Sequence, residues 1–524
     1  MSKTWGDLFL APRDQDKLRL YQQIQAQAQE TMTVAEWIRW QRLQKCPDFE
    51  INLRQLALLS KQSYGAVYYT YKQLRLLLRQ LAPDVVDKDE RLFCLSAGQV
   101  RLALVKAGVP FNFIQHLLAE DLAEFEGFLT ASNVSRSTAL RQLRPLRDLA
   151  KQLGVSIVYE KMQISGPELN IRLFLYMAYW RATNGAGWPF ANWTKAQAKQ
   201  FGQQVNRAFA VQSANPVIGE MQLYFVAVGH LRRMHHHFET KPVAVMTQLT
   251  PNVLQSFSDL SDAQQVAESQ LLYLIHFLVP AYSAPDDPLL ANVLGNLQYF
   301  DPRLHAFVVQ LIAQLPDDII LQDAQSHPVD ALLEASIFAT VISVLTVGVD
   351  FEAVNAYAFN RHMHTTPVDP ALKQLVQHVV LQALAKQPSP ELQQHAAAIA
   401  HAVYLHLLQL RRYTQPVARV KVAMLLEPVT LDFYNLLTFI NRQPTVKLWH
   451  GDYQAADLVI VDSALPLQLT GAKRPIVFKW DMNAGSEQIG QLYSVILDIQ
   501  QQKVHQAGGG RYDSGELPAA DPYR

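Results

Sequence analysis

Cysteine is almost missing from this chain, with only Cys46 and Cys94 in 524 residues. Two thiols cannot build a disulfide framework or a Cys-rich zinc site. Glycine is scarce at 22, which argues against Gly-rich repeats and turn-dense all-β architectures. Net charge is absent too, because Lys+Arg 46 balances Asp+Glu 46. The longest charge-free apolar stretch, Ala335 to Val349, falls short of the roughly 18–20 residues that span a bilayer, so no membrane insertion is expected. Met1 to Gln25 is polar and carries no basic-then-apolar leader, which predicts a cytoplasmic protein. There is no G-x-x-x-x-G-K-[ST] phosphate loop, no G-x-S-x-G elbow and no full G-x-G-x-x-G. No enzyme and no cofactor are expected. Asn184 to Gly187 reads instead as a loop.

What is present is a folded-protein composition, 49% hydrophobic and 10% aromatic, over a length that predicts three to five domains. Neutrality hides an asymmetry. Met1 to Ser165 holds 22 Lys/Arg against 17 Asp/Glu. Ile51 to Gln80 carries Arg54, Lys61, Lys72, Arg75 and Arg79 with no acid, and Phe128 to Lys151 carries four arginines and Lys151 against Asp148 alone. Local basic faces on a neutral chain suit a polyanion.

Both basic stretches read as a helix, a short polar turn and a second helix. Ser63 and Ser135 suit the N-cap, where a hydroxyl accepts an unpaired backbone N–H. Val67, Tyr71 and Leu74 turn inward behind Ser63, and Ala139, Leu143 and Leu146 stand at the same offsets behind Ser135. The outward residues are the candidate DNA readers: Tyr64, Tyr68, Tyr69 and Lys72 in the first unit, and Arg136, Ser137, Thr138, Leu140, Arg141 and Arg144 in the second. Arginine pairs bidentately with guanine, whereas hydroxyls suit phosphate oxygens. A β-hairpin is expected after each unit, Val85 to Leu95 and Val155 to Ile164, giving two winged helix-turn-helix units. Pro145 is expected to end or kink the second recognition helix.

From Gly166 to about Arg412 the pattern is nearly continuous amphipathic helix, divided into two halves at Pro280 to Pro288. After Pro416, strands (417–426, 446–449, 458–461, 475–480) alternate with helices (431–440, 486–501), which implies a small α/β domain with a parallel sheet. The last residues have the composition of a disordered tail. The fold class is mainly α and multi-domain.

This order resembles the Mga family of regulators in Gram-positive bacteria. The likeness rests on Ser165-Gly166-Pro167-Glu168, Ile171 to Tyr176, Tyr179-Trp180 and Trp188-Pro189-Phe190, and on Ser135-Arg136-Ser137-Thr138. It implies helix-turn-helix regions at 1–100 and 101–165, phosphotransferase-system regulation domains (PRDs) at 166–284 and 285–413, an enzyme-IIB-like domain at 414–505, and a tail at 506–524. It further implies promoter double-stranded DNA as partner, a homodimer held by the C-terminal domain, and phosphorylation of PRD histidines by the phosphocarrier or an enzyme II of the sugar phosphotransferase system. His305 leads as acceptor, followed by His230 and His378. The sequence departs from the family pattern twice. No cysteine follows Cys94, so no thiolate takes phosphate in the last domain, and no histidine lies between Glu168 and Gly229.

Sixteen histidines also raise a metal reading, with His235-His236-His237 and His362-X-His364 as clusters. Adjacent residues do not share a helix face and no third ligand is apparent for the second pair, so no metal is expected. Two other functions are consistent with PRD-like text. An RNA-binding antiterminator would begin with a small β-rich domain, which the helical N-terminal region argues against. A non-enzymatic scaffold would leave both basic faces unexplained.

Overall fold

The computed structural model describes residues 8–30, 49–84, 89–209, 215–240, 251–279, 302–315, 328–349, 370–386, 389–414, 419–426, 431–461, 474–480 and 486–508, less single positions inside them and with isolated ones between. The chain divides into two compact units, Met1–Leu408 and Gln409–Arg524. Among the described residues helices dominate, and the two sheets are small.

The first unit opens on helix α1 (Pro12–Glu30), which packs on α2 (Leu53–Leu59) and α3 (Tyr64–Leu81). Its Tyr21 is fully buried and its hydroxyl donates to the carbonyls of Phe93 and Leu95, tying α1 to the segment that follows α3. Next come α4 (Ala97–Lys106), α5 (Val109–Ala119), α6 (Phe125–Ser132) and α7 (Arg136–Gln152). A two-stranded antiparallel hairpin, β1 (Ser156–Val158) and β2 (Gln163–Ser165), follows with Ile157 paired to Ile164. The central helix α8 (Glu168–Thr183) is buried almost all round, from Leu169 to Trp180. It packs against α4, α5 and α7 on one side and α10 (Pro216–Met234) on the other. A helix apolar on every face belongs in a core, so the segment that carries the family likeness joins the helix-turn-helix region to the bundle behind it. That bundle adds α9 (Lys195–Ala208) and α11 (Asp262–Leu278), then α12 (Pro302–Ile312), α13 (Pro328–Val347), α14 (Pro370–Lys386) and α15 (Pro390–Gln394), and α16 (Ala396–Thr414) carries the boundary between the units at Leu408.

The second unit holds a four-stranded parallel sheet in the order β4-β3-β5-β6, built from β3 (Val420–Leu425), β4 (Val446–Leu448), β5 (Leu458–Val461) and β6 (Ile476–Lys479). Helices α17 (Leu431–Asn441) and α18 (Ser486–Gly508) supply Leu436, Ile440, Leu492 and Ile496 to a core shared with Val420, Val422, Leu458 and Ile460. Strand β5 is buried at every residue, as a central parallel strand must be. Lys503 donates to Asp457 at 2.5 Å and to the Arg419 carbonyl at 3.0 Å, pinning α18 across the strand starts. The helix therefore runs seven residues past Gln501.

Two expectations are corrected. The hairpin expected at Val85 to Leu95 lies partly outside the described residues, and its described part, Asp89–Cys94, is not a strand but a 3-10 helix whose Leu92 and Phe93 are buried. Phe93 stacks on Tyr21 and Tyr71, and an extended strand would withdraw it from that contact. Pro145 does not end its helix either, since α7 runs on to Gln152. The missing hydrogen bond and ring clash cost about 3 kcal/mol, whereas burial of Leu143, Leu146 and Leu149 returns about 1.5–3 kcal/mol each. Packing wins. The break at Pro280 to Pro288, His362, His364 and the tail beyond Gly508 lie outside the described residues.

Candidate nucleic-acid interface

The two helix-turn-helix units are built alike at the backbone. In the first, the turn between α2 and α3 places Lys61 in the left-handed region (φ 54°), with the Gln62 N–H donating to the Ala57 carbonyl at 3.0 Å. In the second, Asn133 takes that conformation (φ 51°) and the Val134 N–H donates to the Leu129 carbonyl at 3.1 Å. Each turn thus closes its helix with a bond across six residues, the C-terminal motif that a left-handed residue permits. The serine two positions later then caps the recognition helix. Ser63 Oγ accepts from the Ala66 N–H at 3.3 Å and Ser135 Oγ from the Thr138 N–H at 3.4 Å. The inward residues match as well. Val67, Leu74, Ala139, Leu143 and Leu146 are buried, and Tyr71 is half-buried against Phe93.

The outward faces differ in chemistry. On α3, Tyr64 stacks on Tyr68 with centroids 5.9 Å apart, and Lys72 lies 4.8 Å over the Tyr68 ring, forming a ladder down one side of the helix. Tyr69 is exposed beside it. On α2, Leu58 and Leu59 are exposed as well, at 80% and 66%. On α7 the face is cationic and hydroxylic. Arg141 is exposed and has no ion-pair partner among the described residues, while Arg144 and Arg147 share Asp148, each with Nε 3.7 Å from it. The hydroxyls of Ser137 and Thr138 lie 3.3 and 3.0 Å from Ser135 Oγ, so they belong to the cap cluster.

Arg136 is the exception. Its Nη1 donates to Glu126 on α6 at 2.9 Å and its Nη2 to Glu160 on the turn between β1 and β2. The guanidinium also lies over the Phe125 ring at 5.4 Å. The hydrogen bonds it donates to Glu160 and Glu126 hold its pKa above the ordinary arginine value. The hairpin itself is placed by aromatic packing, in which Tyr159 meets Phe113 and Phe125 at 5.7 and 5.4 Å, and Phe128 meets Phe113 at 5.2 Å. Neither acid was singled out as a partner from the sequence. Glu126 lies across the turn on the preceding helix, and only the wing's return brings Glu160 back to Arg136.

Behind the interface lies a buried charge network. Arg172 on α8 donates bidentately to Glu268 at 2.6 and 2.7 Å and through Nε to Glu168 at 2.9 Å. Arg233 donates to Glu268 at 3.0 Å. Arg232 spans Glu168 at 2.8 Å and Glu120 at 3.0 Å, and His237 Nε2 lies 2.7 Å from the same Glu120 oxygen. Burial lowers the Arg172 pKa, and the neighbouring carboxylates more than reverse it. Burial raises that of Glu268, and Arg172 and Arg233 carry it below the ordinary carboxylate value. Glu120 follows α5, so the network couples the helix-turn-helix region to α8, α10 and α11. It also gives His237 a hydrogen-bond partner in Glu120, and among the described residues no group of three side chains could hold a metal ion.

The three candidate phosphoacceptors are scattered. His230 on α10 stacks on Trp193 at 4.2 Å, and burial with Arg233 nearby lowers its pKa to about 4. His305 on α12 places Nε2 3.2 Å from Glu334 on α13. His378 on α14 places Nε2 2.6 Å from Gln382 one turn on. No single helix among the described residues is long and apolar enough to cross a membrane.

No curated protein matches this chain. Residues 95–179, which run from the start of α4 through the winged unit to Tyr179 on α8, match the family model of the Mga helix-turn-helix domain, and that match supports a Mga-type regulator.

Proposed function

We propose that this protein is a non-enzymatic transcription regulator that binds promoter double-stranded DNA through α7 and its wing. The observation that carries the reading is the exposed cationic face of α7, with Arg141 and Arg144, inside the segment matched to the Mga domain. A recognition helix enters the major groove by its N-terminal half, and there Arg141 supplies a free fork for a guanine or a phosphate. The tyrosines and Lys72 of α3 serve as a second contact, with Ser63 as its cap. The test is binding of the full chain to a duplex from its own upstream region in competition with random duplex. Binding with no preference between them at any salt concentration counts against a promoter regulator.

The remaining assignments extend this proposal. The helices of 166–284 and 285–413 are read as two PRDs and the parallel-sheet unit as an enzyme-IIB-like domain that holds a homodimer. Duplication by symmetry doubles the contact with DNA and fixes half-site spacing. Control by the sugar phosphotransferase system falls on His305. A phosphate on its Nε2 would set about −1.5 to −2 charges against Glu334 and push α12 from α13. His230 and His378 are the lesser candidates, since His230 is closed over by Trp193.

A further inference from the structure

Arg136 stands at the first position of the recognition helix, where this motif brings side chains nearest to base edges. It is already occupied. Glu126 from α6 and Glu160 from the wing tip hold its two Nη atoms, so three elements of the winged unit meet on one guanidinium. The cluster is at the surface. Arg136 is 44% exposed and each acid 69%, so a duplex docked on α7 can reach all three. Its formal charge is one negative, on a face whose other members, Arg141 and Arg144, are cationic.

Resting on the DNA-binding reading above, we propose that Glu126 and Glu160 are specificity-determining residues that filter out duplexes lacking a guanine beneath Arg136. A backbone phosphate is common to all sequences. To take one, Arg136 must leave two carboxylates, which are then stranded beside the phosphates and repelled by them. Guanine is different, because its O6 and N7 accept both arms of the fork in one plane and replace what Arg136 gives up. The acids therefore act as an unfavourable element against the wrong partner, and specificity is a difference of affinities. Arg141 has no such restraint and can take a phosphate or a guanine on any duplex.

The experiment uses the full chain and its Glu126→Gln, Glu160→Gln and doubly substituted variants, with Glu160→Asp retaining charge. Fluorescence anisotropy reads binding to the upstream duplex and to a random duplex of equal length over a range of salt. In the double variant, random-duplex affinity rises about tenfold while upstream-duplex affinity changes by less than about threefold, so the preference narrows. The slope of log K against log salt for random duplex steepens by about 0.9, the value for one added phosphate contact. Glu160→Asp keeps the wild-type preference. An unchanged preference and slope in the double variant, with Arg141→Ala weakening both duplexes, overturns the filter and leaves the DNA-binding reading standing. If Arg141→Ala also binds like the wild type, the reading on which the filter rests has failed.

Discussion

Arg172 and Glu268 show what burial demands of charge. Both side chains are out of solvent, and every oxygen of Glu268 is taken by Arg172, Arg233 or the Glu239 N–H. Removing Arg172 leaves Glu268 buried with Arg233 as its one remaining cation among these groups, so Arg172→Ala should destabilise the first unit by about 3–5 kcal/mol. Chemical denaturation checks this, and a loss below about 1 kcal/mol would mean that water reaches the network. His276 gives the pH counterpart. It is fully buried with Nδ1 2.9 Å from Gln222 Nε2, and burial lowers its pKa to about 4 from the ordinary 6.5. The unfolded chain takes up the proton first, so the stability His276 contributes is present above pH 6.5. It is lost as pH falls towards 4, to the extent of about 3 kcal/mol. An NMR titration should find this imidazole neutral at pH 5.5. A midpoint near 6.5 would contradict its burial.

At the scale of elements, α7 is the instructive case. Pro145 stands inside it without stopping it, because the facing leucines bury more than the proline costs. Pro145→Ala restores the hydrogen bond to the Arg141 carbonyl and should raise the melting temperature of the first unit, by about 1 kcal/mol or more of added stability. A lowered melting temperature would show that the half-buried ring packs more than it disrupts. Much at this scale was legible in the sequence. Ser63 and Ser135 cap the helices they precede, the wing at Val155 to Ile164 forms, and the strands after Pro416 fall where alternation placed them. Those signals are local. The first hairpin misled because Val85 to Leu95 carries a strand's composition while Phe93 is claimed by Tyr21 and Tyr71 from elsewhere in the chain. The hold of Glu126 and Glu160 on Arg136, and of Arg232 on Glu120, was invisible for the same reason, since charges on separate elements meet only after the fold brings them together.

Across the whole molecule, the match at 95–179 lies over the one segment where a cationic helix face, its wing and the buried α8 come together. The network through Arg232 and Glu120 gives that segment a fixed seat on the helices behind it. The proposed homodimer is checked by light scattering, in which truncation after Gln415 should yield a monomer at micromolar concentration, and a truncated chain that stays dimeric would move the interface to the helical region. The central claim is that α7 reads DNA with Arg141 as its free cation. The most direct measurement compares Arg141→Ala with the wild-type chain on the upstream and random duplexes at two salt concentrations. Loss of about 1–3 kcal/mol on the upstream duplex, with a salt slope shallower by about 0.9 wherever the contact is to phosphate, is the result predicted. Unchanged affinity for both duplexes would contradict it.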